Sequence, residues 1–285
     1  MNLENLKQYH KNIVEEFGEW TNHNIQIQDD FYTIDKAKIT GSEVKLKRYL
    51  QIIADIVRQP FSQLRVLDLA CLEGMYGIEM ALQGAEVVAL EGRQANIEKA
   101  RFTKESLGLN NLNLYLDDVR NLSREKYGEF DIVLCIGIFY HLDAPDVFAF
   151  MESIGEVCKY LAIVDTHVSM MAECSYIYKQ RQYAGRSYPE HNPETTGEEK
   201  IKSLWSSLDN NTSFWLTRPS FYNLLTEVGF TSVYECHNPP VMKYEIMRER
   251  KETDRATFVA IKGQNTKVLS STIINQLPQE FWPEK

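Results

Sequence analysis

The sequence predicts an α/β protein built on a mostly parallel sheet with helices on both faces. Two observations carry this. Short apolar runs alternate with helical stretches from residue 65 onward, and each run is nearly continuous in apolar residues. A strand buried on both faces reads this way, whereas a half-exposed antiparallel strand alternates apolar with polar. Right-handed crossovers then connect successive strands.

The elements follow in order. Residues 1–60 are expected to be mainly helical, with Leu6, Ile13, Val14 and Phe17 at helical spacing, and again Leu46, Leu50, Ile53 and Ile56. The stretch WTNHNIQIQDDFYTIDKAKITG between them has no clear period. Strands are predicted at 65–70, 86–91, 112–116, 130–136 and 160–165, and helices at 75–83, 95–107 and 147–158. Residues 168–216 are too long for an ordinary connection and read as a functional insertion or a set of small extra elements. Thr217 caps a further helix with Pro219 in its first turn, and Gly229 ends it. Segments 231–236 and 257–262 read as a closing antiparallel pair, and the sign-alternating run MRERKETDR between them as a solvated surface. Phe281 and Trp282 near the C-terminus are expected to pack back on the body. The implied organisation is a helical lid segment at 1–60, a ligand-binding core at 61–167, a substrate-lid insertion at 168–216, the rest of the core at 217–265 and a tail at 266–285.

Composition narrows the class. The 285 residues are 44% apolar and 25% charged, enough for a substantial core. The longest apolar run, residues 132–140, is far shorter than a membrane-spanning helix requires. The N-terminus, MNLENLKQYHKNIVEEF, is too polar and acidic for a signal peptide. The five cysteines are scattered without a CxxC pair, which fits reduced thiols. These features point to a cytoplasmic protein, monomeric or homodimeric. The net charge of −9 argues against nucleic acid as substrate, since phosphate is repelled unless basic residues gather on one face.

In a doubly wound sheet ligands bind at the carboxyl ends of the strands. After the first strand comes Asp68-Leu69-Ala70-Cys71-Leu72-Glu73-Gly74, where the small Ala70 and Gly74 let the backbone approach a ligand closely. The second strand ends in Glu91-Gly92-Arg93, a carboxylate suited to the two hydroxyls of a ribose. The third ends in Asp117-Asp118-Val119, where a carboxylate, Asp118 in preference to Asp117, can accept from an adenine amino group while Val119 lines the ring. The fourth ends in Cys135-Ile136-Gly137-Ile138-Phe139-Tyr140-His141. The plainer alternatives are that Asp68 and Glu91 cap turns and that Cys71 and Cys135 are small buried residues.

From residue 65 to 165 the chain resembles the class I S-adenosylmethionine-dependent methyltransferases, with their Rossmann-like, seven-stranded, mostly parallel sheet. Its first loop is similar to that family's D-x-G-x-G-x-G turn, Glu91 to the acidic ribose ligand, and Asp118 to the adenine-side aspartate. Gly137-Ile-Phe-Tyr-His-Leu142 resembles the G-x-x-Y-H-L loop of one branch, which includes enzymes that modify the wobble uridine of tRNA; the segment from Trp20 to Thr40 resembles that branch too. The resemblance implies S-adenosyl-L-methionine as cofactor, S-adenosyl-L-homocysteine as product and a cofactor site drawn from Asp68, Ala70, Cys71, Glu73, Gly74, Glu91, Gly92, Arg93, Asp117, Asp118, Val119, Cys135, Ile136 and Gly137. The sequence departs from the pattern at Ala70 and Leu72, where the family carries glycine. Ala70 suits the turn if its φ is negative, and Leu72 implies a differently shaped loop around the methionine end of the cofactor.

Methyl transfer to a hydroxyl needs a base, and histidine titrates in the right range. His141 and His167 lie just past the fourth and fifth strands. Asp165 shares a strand face with His167 and can orient it; a strand-end pair serving nearby backbone is the alternative. Tyr140 can contact either ligand or belong to the core. No metal-ligand spacing accompanies these residues. The leading expectation is a methyltransferase acting on oxygen or nitrogen of a small-molecule metabolite, such as a natural-product intermediate. The alternatives are a tRNA wobble-uridine modifier using Lys179, Arg181 and Arg186, or a non-catalytic cofactor-binding module.

Overall fold

The computed structural model describes residues 2–38, 40–236, 249–250 and 253–271. The chain divides into two compact units, Met1–Asn121 with Glu129–Ile136, and Leu122–Gly128 with Gly137–Lys285.

The first unit opens with α1 (Leu3–Phe17), whose N-terminus is capped by the Asn2 side chain accepting from the Asn5 amide, and which buries Leu6 and Ile13. A short antiparallel pair, β1 (Gln26–Gln28) and β2 (Phe31–Tyr32), occupies the stretch without a clear period. Helix α2 (Ser42–Val57) follows. The alternating region then contributes β3 (Arg65–Leu69), α3 (Met75–Leu82), β4 (Glu86–Glu91), α4 (Gln94–Ser106), β5 (Leu112–Leu116) and β6 (Phe130–Ile136). These four strands run parallel in the order β6-β3-β4-β5. Val66, Leu67 and Leu69 of β3 and Ile132, Val133 and Leu134 of β6 are fully buried, which is why the sequence reads as unbroken apolar runs.

The second unit holds α5 (Arg124–Tyr127), α6 (Asp146–Val157), β7 (Cys158–Ser169), β8 (Cys174–Tyr178), β9 (Arg181–Pro189), α7 (Gly197–Lys202), β10 (Thr212–Leu216), α8 (Arg218–Glu227), β11 (Ser232–Cys236) and β12 (Thr253–Ile261). Strands β11, β12 and β7 pair antiparallel in that order. Together with β3 to β6 they make a seven-stranded, mostly parallel sheet, the fold class that the sequence predicts. The insertion at 168–216 is built as a separate antiparallel sheet in the order β10-β9-β8. Its aromatic residues Tyr176, Tyr178, Tyr183 and Phe214 gather around Phe148 of α6. Thr217 caps α8 through the Ser220 amide, as its sequence indicates.

Two local expectations are revised. The fifth strand of the alternating region continues to Ser169, so His167 lies within β7 and not in a loop after it. The end of the sign-alternating run is not solvated: Asp254 is buried in β12 and paired with Arg218 at 2.5 Å, and Arg255 bridges to Asp165. Burial is affordable for these charges because each meets its opposite. Phe281, Trp282 and the start of that run lie outside the described residues. Among the described residues no helix is long and apolar enough to cross a membrane.

Candidate active site

The turn between β3 and α3 is the most unusual backbone of the first unit. Ala70, Leu72 and Gly74 all adopt left-handed φ, at 51°, 52° and 88°. The negative φ that would let Ala70 suit the turn is therefore not met. The chain keeps the alternating left-handed path without two of the glycines that would adopt it freely, at a cost of about 1–2 kcal/mol per non-glycine residue. Backbone bonds hold the path: the Cys71 amide donates to the Leu90 carbonyl at 2.9 Å and Gly74 to Cys71 at 2.8 Å. The Leu72 amide donates to Glu91 Oε2 at 2.9 Å. At Gly74 a side chain would also press on Ala100 Cβ at 3.0 Å, so glycine is required there twice over.

Asp68, at the end of β3, accepts the Gly77 amide at 2.8 Å. A Cβ on Gly77 would stand 3.0 Å from that oxygen, so the approach depends on glycine. Burial, with a smaller push from the Glu91 charge, raises the Asp68 carboxyl to about 7 against the pull of the Gly77 amide. Burial likewise raises Glu91, opposed by the Arg93 amide and guanidinium, the Leu72 amide and Asn96. Glu91 Oε1 accepts from the Arg93 amide at 2.9 Å and the Asn96 side chain at 3.3 Å. Arg93 is buried beside the half-buried Gly92.

After β5, Asp117 accepts from the Asp118 amide and the Asn121 side chain. Asp118 is gripped by Arg120, whose Nη2 lies 2.6 Å from Oδ2. Val119 is buried beside them in sequence. Cys71 and Cys135 are buried, and burial pushes the Cys71 thiol well up, which disfavours thiolate chemistry there. Ile136 is half-buried at the end of β6. Glu73, a candidate cofactor residue by sequence, directs its carboxylate to the amides of Thr21, Asn22 and His23.

In the second unit, Gly137 takes a left-handed φ of 81° and its amide donates to the Asp165 carbonyl. A 3₁₀ turn, Phe139–His141, then presents Tyr140 and His141. His141 Nδ1 lies 3.0 Å from Glu190 Oε2 and 3.1 Å from Oε1. Glu190 also accepts from the Ser213 hydroxyl at 2.8 Å and the Ser207 amide at 2.9 Å. Burial would raise this carboxyl, but the bond and charge of His141, with Ser213 and Ser207, outweigh it and leave it below its ordinary value. The backbone of the turn is tied to β10 and its approach: Trp215 Nε1 donates to the Tyr140 carbonyl at 2.8 Å and Asn210 to that of His141 at 3.0 Å. Trp215 stacks between Tyr188 and His167, with centroids 4.0 and 4.8 Å away, and Tyr140 meets His167 edge-on.

Asp165 is fully buried and held by Arg255 Nε at 2.6 Å and the Thr257 hydroxyl at 2.8 Å. Arg255 also donates to the Tyr140 hydroxyl at 2.9 Å. Asp165 thus serves an arginine and a threonine on the neighbouring strand, and the buried carboxylate that engages His141 is Glu190. Neither Glu190 nor Arg255 carries a local sequence signal: each meets its partner across 49 or 90 residues. Among the described residues no cluster of side chains suited to a metal ion is formed.

A family of methyltransferase domains matches residues 60–207. The chain belongs to that family. Its domain is of the class I, S-adenosylmethionine-dependent type, and the solved structures it resembles share its fold. The N-terminal domain of EvdMO1, crystallised in the presence of S-adenosylhomocysteine and D-fucose, superposes with a TM-score of 0.69 at 21% identity, over 92% of this chain and 98% of that one. Among curated relatives, the ubiquinone biosynthesis O-methyltransferase of Acinetobacter baylyi is 30% identical over 104 residues, 36% of this chain and 41% of that protein. The 23S rRNA (uracil(1939)-C(5))-methyltransferase RlmD of Shewanella halifaxensis is 39% identical over 77 residues, 26% of this chain and 17% of that protein. The chain thus matches less than half the length of these curated relatives.

The residues of the methyltransferase turn fit its cofactor chemically. Among the described residues Glu91 Oε2 accepts from the Leu72 amide alone, and a carboxylate oxygen has room for another donor such as a ribose hydroxyl. Asp118 is partly exposed and can exchange its Arg120 partner for an amino group. The turn itself is left-handed at three positions, and at two of them, Ala70 and Leu72, the family's sequence pattern has glycine where this chain does not.

Proposed function

We propose that this methyltransferase acts on an oxygen or nitrogen of a small molecule, with His141 as the base and Glu190 as the carboxylate that orients it. The observation that carries this reading is the part-buried His141–Glu190 pair at 3.0 Å. A carboxylate at Nδ1 selects the tautomer that leaves Nε2 as the acceptor and stabilises the imidazolium that forms. The chemistry that bound S-adenosylmethionine supplies is an activated methyl group. His141 removes the acceptor's proton as that group arrives; Tyr140, its hydroxyl pinned by Arg255, and His167 line the acceptor. The stacked Tyr188 and Trp215 offer flat apolar surface for an organic substrate. Glu91 takes the ribose and Asp118 the adenine amino group, with Asp68, Ala70, Gly74, Gly92, Arg93, Val119, Cys135, Ile136 and Gly137 completing the cofactor's surroundings.

The state of the basic cluster supports a small molecule over RNA. Lys179, Arg181 and Arg186 are each paired with a carboxylate, Glu152, Glu227 and Glu173, at 2.6, 2.8 and 3.7 Å. Each of these cations has a carboxylate beside it that repels an approaching phosphate. The test is incubation with S-adenosylmethionine carrying a labelled methyl group and a cell extract. Label in the small-molecule fraction is the expected result. Label in RNA or protein instead would overturn the reading.

A further inference from the structure

The turn at residues 70–74 holds left-handed backbone at Ala70 and Leu72. Residues other than glycine keep such conformations only where their surroundings over-determine them. Here the surroundings include a segment about fifty residues upstream. Glu73 is fully buried, and its carboxylate accepts the amides of Thr21 at 2.6 Å, Asn22 at 3.1 Å and His23 at 2.9 Å. The Thr21 hydroxyl adds a bond at 3.2 Å. In the opposite direction, His23 Nδ1 accepts the amide of Met75, the first residue of α3, at 3.1 Å. That bond requires a neutral imidazole with its proton on Nε2. Lys99 Nζ donates to the Glu19 carbonyl at 2.6 Å and stands 3.8 Å from the Glu73 carboxylate. Trp20 is buried within the same segment and stacks on His10 of α1. The two stretches are thus stitched both ways, carboxylate to upstream amides and upstream imidazole to the first amide of the helix.

We propose that residues 19–23 form a strap that fastens the glycine-poor cofactor turn, and that Glu73 is its positioning residue, setting affinity for S-adenosylmethionine without touching it. The strap supplies from outside the order that glycines supply from within. Its logic is independent of the acceptor substrate. Glu73→Gln keeps the shape but turns one acceptor oxygen into a donor facing backbone N–H groups, and it takes away the negative charge nearest Lys99.

The experiment titrates S-adenosylhomocysteine calorimetrically into the full chain and follows amide exchange at residues 21–23. Glu73→Gln is expected to weaken binding about tenfold and to speed exchange of those amides. Adding Ala70→Gly and Leu72→Gly to it is expected to recover most of the affinity, because glycine adopts the left-handed path unaided. Unchanged affinity with faster exchange would overturn the proposal. So would a loss that the two glycines do not recover, since Glu73 would then serve the fold alone or meet the cofactor itself. Should Glu73→Gln not fold, Lys99→Met gives the same reading: weaker binding recovered by the glycine pair supports the strap, and unchanged binding overturns it.

Discussion

Asp68 and Glu91 in the first unit and Glu190 in the second are all buried carboxylates, yet they are displaced in opposite directions. Among the described residues Asp68 receives the Gly77 amide and no cation, and burial carries it to about 7. Glu91 has the Arg93 guanidinium close by and several donors, and still rises. Glu190 has an imidazole bonded to it, a hydroxyl and an amide, and falls. Desolvation favours the neutral acid, and backbone amides offset it only in part; a directly bonded group able to carry positive charge reverses the sign. The first unit therefore presents acceptors whose charge a ligand can complete. The second presents a carboxylate already committed to holding a histidine.

The sharpest way to break this contrast is at His141. His141→Ala is expected to lower label transfer from S-adenosylmethionine by about 10²–10⁴-fold while leaving affinity for S-adenosylhomocysteine unchanged. A variant of undiminished activity would remove the histidine from the chemistry. Next comes Gly185 of β9, where a methyl group would collide with the Trp215 carbonyl and stand 2.9 Å from Phe214 Cζ. Gly185→Ala should cost about 1–3 kcal/mol in denaturant unfolding, and a neutral result would show that β9 and β10 part easily around the aromatic stack.

On the cofactor side, Glu91→Ala should weaken binding of S-adenosylhomocysteine at least about tenfold. Calorimetry showing an unchanged dissociation constant would take Glu91 out of the site. The subtlest effect concerns Asp68. Its folded pKa of about 7 lies above the ordinary 3.8, so the folded chain holds the extra proton and stability falls as pH rises through that window. Buried His23 does the reverse. Its pKa drops to about 3 from 6.5, so the unfolded chain takes the proton and stability falls as pH drops below 6.5. The two oppose each other between roughly pH 4 and 6.5. Asp68→Asn should add a slope of up to about 1.4 kcal/mol per pH unit to the stability of the ligand-free protein across that window, rising with pH. Unfolding curves whose slope matches the wild type would show that Asp68 is ionised throughout.

Sequence by itself determined the sheet and the carboxyl-end loops. Strands buried on both faces must be continuously apolar, so β3, β4 and β6 are visible as runs, and the loops after them are located by counting. Asp68, Glu91 and the Gly137–His141 stretch are legible for the same reason: their positions follow from local order along the chain. What only the tertiary structure decided are the partners. Glu73 sits in the turn by sequence, but its bonds go to residues 21–23; His141 is placed by its loop, but its carboxylate comes from Glu190. Arg255 lies in a run that reads as solvated, and it is drawn half-buried against Asp165 on the facing strand, which it supplies with a counter-charge. A hydrogen bond between residues tens of positions apart leaves no periodicity behind. Its cost and gain are settled only when burial removes water from both groups at once.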